Sequence, residues 1–148
     1  MEQVFSESNI STASNSSTSL LGVKILIVDD EADTRELLQL ILEQSGATGT
    51  IASGATEVLN IIEQVQPDIL LSDIAMPQTD GYKLIRQIRE MAPVQSEYKC
   101  NQIPAIALTA YASDSDEEKA REAGFQLHLA KPISPEELVN AITKLLKT

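Results

Sequence analysis

The residues best placed for chemistry are Asp29, Asp30, Asp73, Thr109 and Lys131, each at the end of a short apolar run. Runs of this length and composition read as parallel strands covered on both faces. Their terminal polar residues then meet at the carboxyl edge of one sheet, where open α/β folds place ligands. Carboxylates crowded there repel one another, and some take up protons unless a cation joins them. Mg²⁺ suits the set best, because it accepts one or two carboxylates, keeps waters and completes its shell with phosphate oxygens. Lys131 adds a point charge and Thr109 a hydroxyl donor, which together make an electrostatic clamp for a phosphoryl group. Asp73 stands alone on the expected central strand and is the natural nucleophile, since a carboxylate can carry a phosphoryl group as an aspartyl phosphate. Asp30 is the preferred direct metal ligand. Asp29 assists it directly or through water, and the backbone carbonyl of Ala75 supplies a further oxygen.

The strands that deliver these groups are Lys24 to Val28, Thr48 to Ala52, the run ending in Asp73, Pro104 to Leu108, and Gln126 to Ala130. Helices are expected between them. The first opens at Asp33 or Thr34 and runs to about Gln44, with Leu37, Leu38, Ile41 and Leu42 inward, and Gly46 stops it. The second runs from about Gly54 to Gln66 with Val58, Leu59, Ile61, Ile62 and Val65 inward. Others follow over Tyr82 to about Met91, Ser113 to Ala123, and Pro135 to Lys147. Strands alternating with helices imply an α/β fold of three layers, a doubly wound five-stranded parallel sheet with right-handed crossovers. The expected order is 2-1-3-4-5, flavodoxin-like, with a switch point that sets Asp29 and Asp30 beside Asp73. The stretch from Ala92 to Gln102 is a polar loop, longer than usual.

Length and charge narrow the function. At 148 residues the chain fits one domain, residues 23–148, behind a Ser/Thr/Asn-rich leader, residues 1–22, that reads as a flexible tail or linker. A net charge of −11 argues against nucleic acid or anionic membrane as a partner. The single cysteine, Cys100, fits a reducing, cytoplasmic setting, and no apolar run reaches membrane-spanning length.

The pattern resembles the receiver domain of two-component response regulators, and the resemblance covers about Val23 to Lys147. It rests on Ile27-Val28-Asp29-Asp30-Glu31, on Asp73 followed by Met76-Pro77 and Asp80-Gly81, on Leu108-Thr109-Ala110, and on Lys131-Pro132. It implies that Asp73 takes a phosphoryl group from a phosphohistidine on a histidine kinase or histidine phosphotransfer protein. It implies Mg²⁺ held by Asp29, Asp30 and Asp73, phosphoryl oxygens bound by Thr109 and Lys131, and a cis Lys131–Pro132 bond. The domain would phosphorylate and dephosphorylate itself rather than turn over a substrate. It would signal to a downstream protein or to kinase domains in its own chain, and the Ser-rich leader favours a hybrid histidine kinase slightly.

In such domains the threonine works with an aromatic residue on the last strand as a switch. Here that position is His128, which is smaller and able to titrate. Ala75 and Tyr111 flank the path of an attacking water; Ala75 cannot orient one, so self-dephosphorylation is expected to be slow. The rival readings are a degenerate receiver acting as a fixed docking module, a Mg²⁺-dependent aspartyl-phosphate phosphatase, and a flavodoxin-like FMN binder. The phosphatase wants a second Asp where Ala75 stands, and the acidic pair after the first strand would repel a flavin phosphate.

Overall fold

A computed structural model describes residues 19–92, 97–110 and 114–147, with Asp114 described by its backbone alone. The strands are β1 (Lys24–Val28), β2 (Thr48–Ala52), β3 (Ile69–Asp73), β4 (Ala105–Thr109) and β5 (Leu127–Ala130). The helices are α1 (Ala32–Gln44), α2 (Ala55–Val65), α3 (Gly81–Arg89), α4 (Asp114–Ala123) and α5 (Pro135–Leu146), with a 3₁₀ turn at Cys100–Gln102. The strands form one parallel sheet in the order β2-β1-β3-β4-β5. That is the expected doubly wound topology.

Successive side chains of a strand point to opposite faces, and here both faces are buried. Ile25, Ile27, Ile69, Leu71, Ile106 and Leu108 pack under α1 and α5 against Leu38, Leu42, Leu138 and Ile142. Leu26, Val28, Leu70, Ala105 and Ala107 pack under α2, α3 and α4 against Val58, Ile62, Leu84, Ile85 and Ala120. This explains why β3 and β4 are buried along their whole length.

Helix ends follow local chemistry. Asp80 opens α3 by accepting from the Lys83 amide at 2.9 Å, and Ser134 opens α5 by accepting from the Glu137 amide at 3.1 Å. Gly46, at φ 95°, closes α1 in a left-handed conformation that favours glycine.

Some details differ from the sequence expectation. Leu37 is 55% exposed rather than inward. The α1 stripe centres on Leu38 and Leu42, and at about 100° per residue Leu37 falls on its flank. Leu20, placed in the leader, is fully buried in the α1/α5 core and donates its amide to the Ser45 carbonyl at 2.9 Å. The remainder of the leader, to residue 18, lies outside the described residues.

The polar loop before β4 is tied down at its described end. Tyr98 Oη donates to the Pro67 carbonyl at 2.8 Å, and Cys100 is fully buried. Burial, then a hydrogen bond with Glu63, pushes the Cys100 thiol up to about 11. Nearby, Arg89 donates to the Gly124 carbonyl through Nη2 at 2.7 Å and to the Asn101 carbonyl through Nη1 at 3.2 Å. It joins the end of α3 to the segments that start β4 and β5.

Candidate functional site

The carboxyl ends of β1 and β3, neighbours in the sheet, bring Asp29, Asp30 and Asp73 together. One carboxylate oxygen from each lies within 4.8 Å of the others. Asp29 is fully buried, Asp73 is 4% exposed and Asp30 faces solvent. Lys131, just past β5, reaches across with Nζ 3.1 Å from Asp29 Oδ2 and 3.2 Å from Asp73 Oδ1. Its own amide donates to the Thr109 carbonyl at 2.7 Å, and the Lys131–Pro132 peptide bond is cis. Thr109 ends β4, buried beside this group and paired in register with Ala130. The Ala75 amide donates to Asp73 Oδ1 at 3.3 Å, so the Ala75 backbone also lies against the cluster.

The electrostatics follow from burial. The Asp73 carboxyl is raised to about 6, chiefly because burial disfavours its charged form, then because Asp29 is close; Lys131 pulls the other way. Burial alone would lower the Lys131 ammonium. The hydrogen bond and charge of Asp29, followed by those of Asp73, outweigh it and hold Lys131 above its ordinary value.

The residues present fit Mg²⁺ by donor type: oxygen ligands only, two of them buried, with a solvent-facing side at Asp30. More negative charge is buried here than Lys131 alone offsets, and a hard dication would correct that excess.

His128 does not join this group. It is half-buried on β5, with Nδ1 3.5 Å from Glu117 Oε2 on α4. Tyr111 lies outside the described residues. Two features were not expected from the sequence. Arg35 Nη1 donates to the Asp29 carbonyl at 2.7 Å. Gly81 lies so close to Asp73 that a Cβ on it would overlap the Asp73 carbonyl oxygen. An arginine one turn behind the acidic pair and a glycine opening a helix were the signals available.

The family model of the response regulator receiver domain matches residues 25–143. The chain belongs to that family. It is 44% identical to an uncharacterised 14.6 kDa protein from the sodA1 3′ region of Leptolyngbya boryana, over 83% of this chain and 89% of that one. It is 39% identical to hybrid signal transduction histidine kinase D of Dictyostelium discoideum, over 93% of this chain but 9% of that protein. Several response regulators match over about half of their own length. Among solved structures it superposes on the receiver domain of the Pseudomonas aeruginosa sensor histidine kinase PA1611, which has a magnesium ion coordinated in its active-site cleft. The TM-score is 0.75 at 28% identity, covering 86% of this chain and 99% of that one.

The receiver domain is thus a phosphoacceptor module of two-component signalling, and the phosphatase and flavin-binding readings are set aside. None of its described helices is long and apolar enough to cross a membrane.

Proposed function

We propose that Asp73 is the phosphoacceptor of this receiver domain and that Asp29, Asp30, Asp73 and the Ala75 carbonyl hold Mg²⁺. The observation that carries this reading is the buried Asp29–Asp73 pair bridged by Lys131, with Asp30 completing the oxygen cluster. Mg²⁺, when bound, supplies positive charge that offsets the carboxylates and the incoming phosphoryl oxygens. A carboxylate oxygen of Asp73 forms the new O–P bond as the N–P bond of a phosphohistidine breaks, and the electron pair stays on the imidazole nitrogen. Lys131 is then freed from one carboxylate and pairs with a phosphoryl oxygen, while the Thr109 hydroxyl donates to another.

The donor is a histidine kinase or a histidine phosphotransfer protein, which places the domain on the cytoplasmic side. Output passes through protein contact, to a downstream partner or to kinase domains of the same chain. His128 takes the place of a switching aromatic, and its contact with Glu117 links β5 to α4. A rearrangement at Lys131 is therefore expected to reach α4 along β5.

The test is incubation with acetyl phosphate or beryllofluoride, with and without Mg²⁺, followed by intact mass and two-dimensional NMR. A Mg²⁺-dependent adduct, absent in Asp73→Asn and accompanied by shifts in α4, β5 and α5, is expected. A folded protein that forms no adduct would make the domain a fixed docking module, and shifts confined to the pocket would remove the proposed output route.

A further inference from the structure

We propose that Arg35 is a positioning residue of this site: it fixes the peptide joining Asp29 to Asp30 and so aims both carboxylates at the metal position. The proposal rests on the reading of the site just given. Arg35 lies in the first turn of α1, where its amide donates to the Glu31 carbonyl at 3.1 Å, and its side chain turns back to the end of β1. There Nη1 donates to the Asp29 carbonyl at 2.7 Å. The other polar groups of Asp29 are engaged as well. Its amide donates to the Ala52 carbonyl at 3.3 Å, Oδ1 accepts from the Glu31 amide at 2.9 Å, and Oδ2 takes Lys131.

Among these ties the arginine differs in what it holds. The carbonyl of Asp29 belongs to the peptide plane between the two acidic residues. With its carbonyl held, the backbone that leaves β1 keeps its course past Asp30 to the Glu31 amide, which closes back on Asp29 Oδ1. A charged donor to a carbonyl makes a stronger bond than a neutral one, and the long arginine stem lets it act from the helix.

Charge and geometry here predict opposite results. A cation beside an acidic pocket opposes a second cation, so an Arg35 that mattered only through its charge would weaken Mg²⁺ binding, and its removal would tighten it. A positioning Arg35 gives the reverse.

The experiment is an NMR titration of the full 148-residue protein with Mg²⁺, comparing wild type with Arg35→Gln, Arg35→Lys and Gln39→Ala. Gln39 is the control: it sits on the same helix and its Nε2 donates to the Gly49 carbonyl at 2.7 Å, away from the acidic cluster. Arg35→Gln is expected to bind Mg²⁺ about tenfold more weakly. Its Glu31 amide should exchange faster with solvent even without metal. Arg35→Lys, which keeps a cationic donor, should recover part of the affinity, and Gln39→Ala should lose thermal stability with its Mg²⁺ affinity intact. Should Arg35→Gln not fold, Arg35→Met, which keeps the apolar stem, is read in the same way.

Equal or tighter Mg²⁺ binding in Arg35→Gln, with unchanged exchange at Glu31, overturns the proposal and leaves the site reading standing. A wild type that binds no Mg²⁺ removes both.

Discussion

Lys131 and Asp29 lie 102 positions apart in the chain, yet Lys131 Nζ is 3.1 Å from Asp29 Oδ2, with Asp29 fully buried. The same ammonium is shared with Asp73, so one side chain bridges both buried carboxylates at this edge of the sheet.

Removing that ammonium leaves buried carboxylates without their partner. Lys131→Met is expected to cost the metal-free protein about 1–3 kcal/mol at pH 7. It should also push the Asp73 carboxyl above its present value of about 6, because Lys131 is the influence that lowers it. Chemical denaturation and carboxyl-carbon NMR titration measure the two effects. An Asp73 titration that does not move would contradict the ion-pair account.

The raised Asp73 carboxyl fixes the sign of a pH effect. Its folded value, about 6, exceeds its ordinary 3.8, so between those values the folded state holds the extra proton. The contribution of this group to metal-free stability is therefore greatest below about pH 4 and is lost as pH rises through 6. Asp73→Asn should stabilise the metal-free protein at pH 7 and flatten that part of its profile. Protons and Mg²⁺ also compete for Asp73, so apparent Mg²⁺ affinity should fall about tenfold per pH unit below 6. Calorimetric titrations at pH 5, 6 and 7.5 decide it, and a flat affinity across them would be the contrary result.

Gly81 permits α3 to start against the peptide of Asp73. A methyl group there meets the Asp73 carbonyl oxygen and Ile74 Cα, both backbone atoms that have nowhere to go. Gly81→Ala is expected to cost about 1–3 kcal/mol in thermal or chemical unfolding. A variant as stable as the wild type would mean that the β3–α3 connection is looser than it stands.

Ala75 offers no side-chain group to orient an attacking water. The phosphorylated domain should therefore persist for many minutes in Mg²⁺. Ala75→Asn, which can hydrogen-bond a water, should shorten that lifetime severalfold. Loss of phosphate from the wild type within seconds, followed by phosphate release or intact mass, would count against this role.

Much of this was legible in the sequence for a physical reason. β3 and β4 are buried on both faces, so they appear as unbroken apolar runs, and their ends mark the sheet edge without ambiguity. Asp73 and Thr109 follow from those ends, and Asp29 and Lys131 from the ends of the neighbouring strands β1 and β5. What periodicity does not encode is contact between distant segments. Nothing about Leu20 in a polar leader signals that it fills a gap beside Ser45. Leu37 has the right residue type for the α1 stripe but the wrong angle. Arg35, Tyr98 and Glu117 are polar residues on surface elements, and each acquires its meaning from one partner elsewhere: Asp29, Pro67 and His128.

Arg89 gives the fold a fulcrum. Its guanidinium fastens the end of α3 to Gly124 and Asn101. These lie where the chain enters β5 and β4, at the pole away from the carboxylates. With that pole pinned, α4 and β5 meet at a turn, Gly124, that Arg89 holds in place. On the proposed output route, a small displacement of Lys131 is expected to tilt β5 and α4 about that turn. Such a tilt would carry the signal to surface elements while the two aliphatic cores flanking the sheet stay packed.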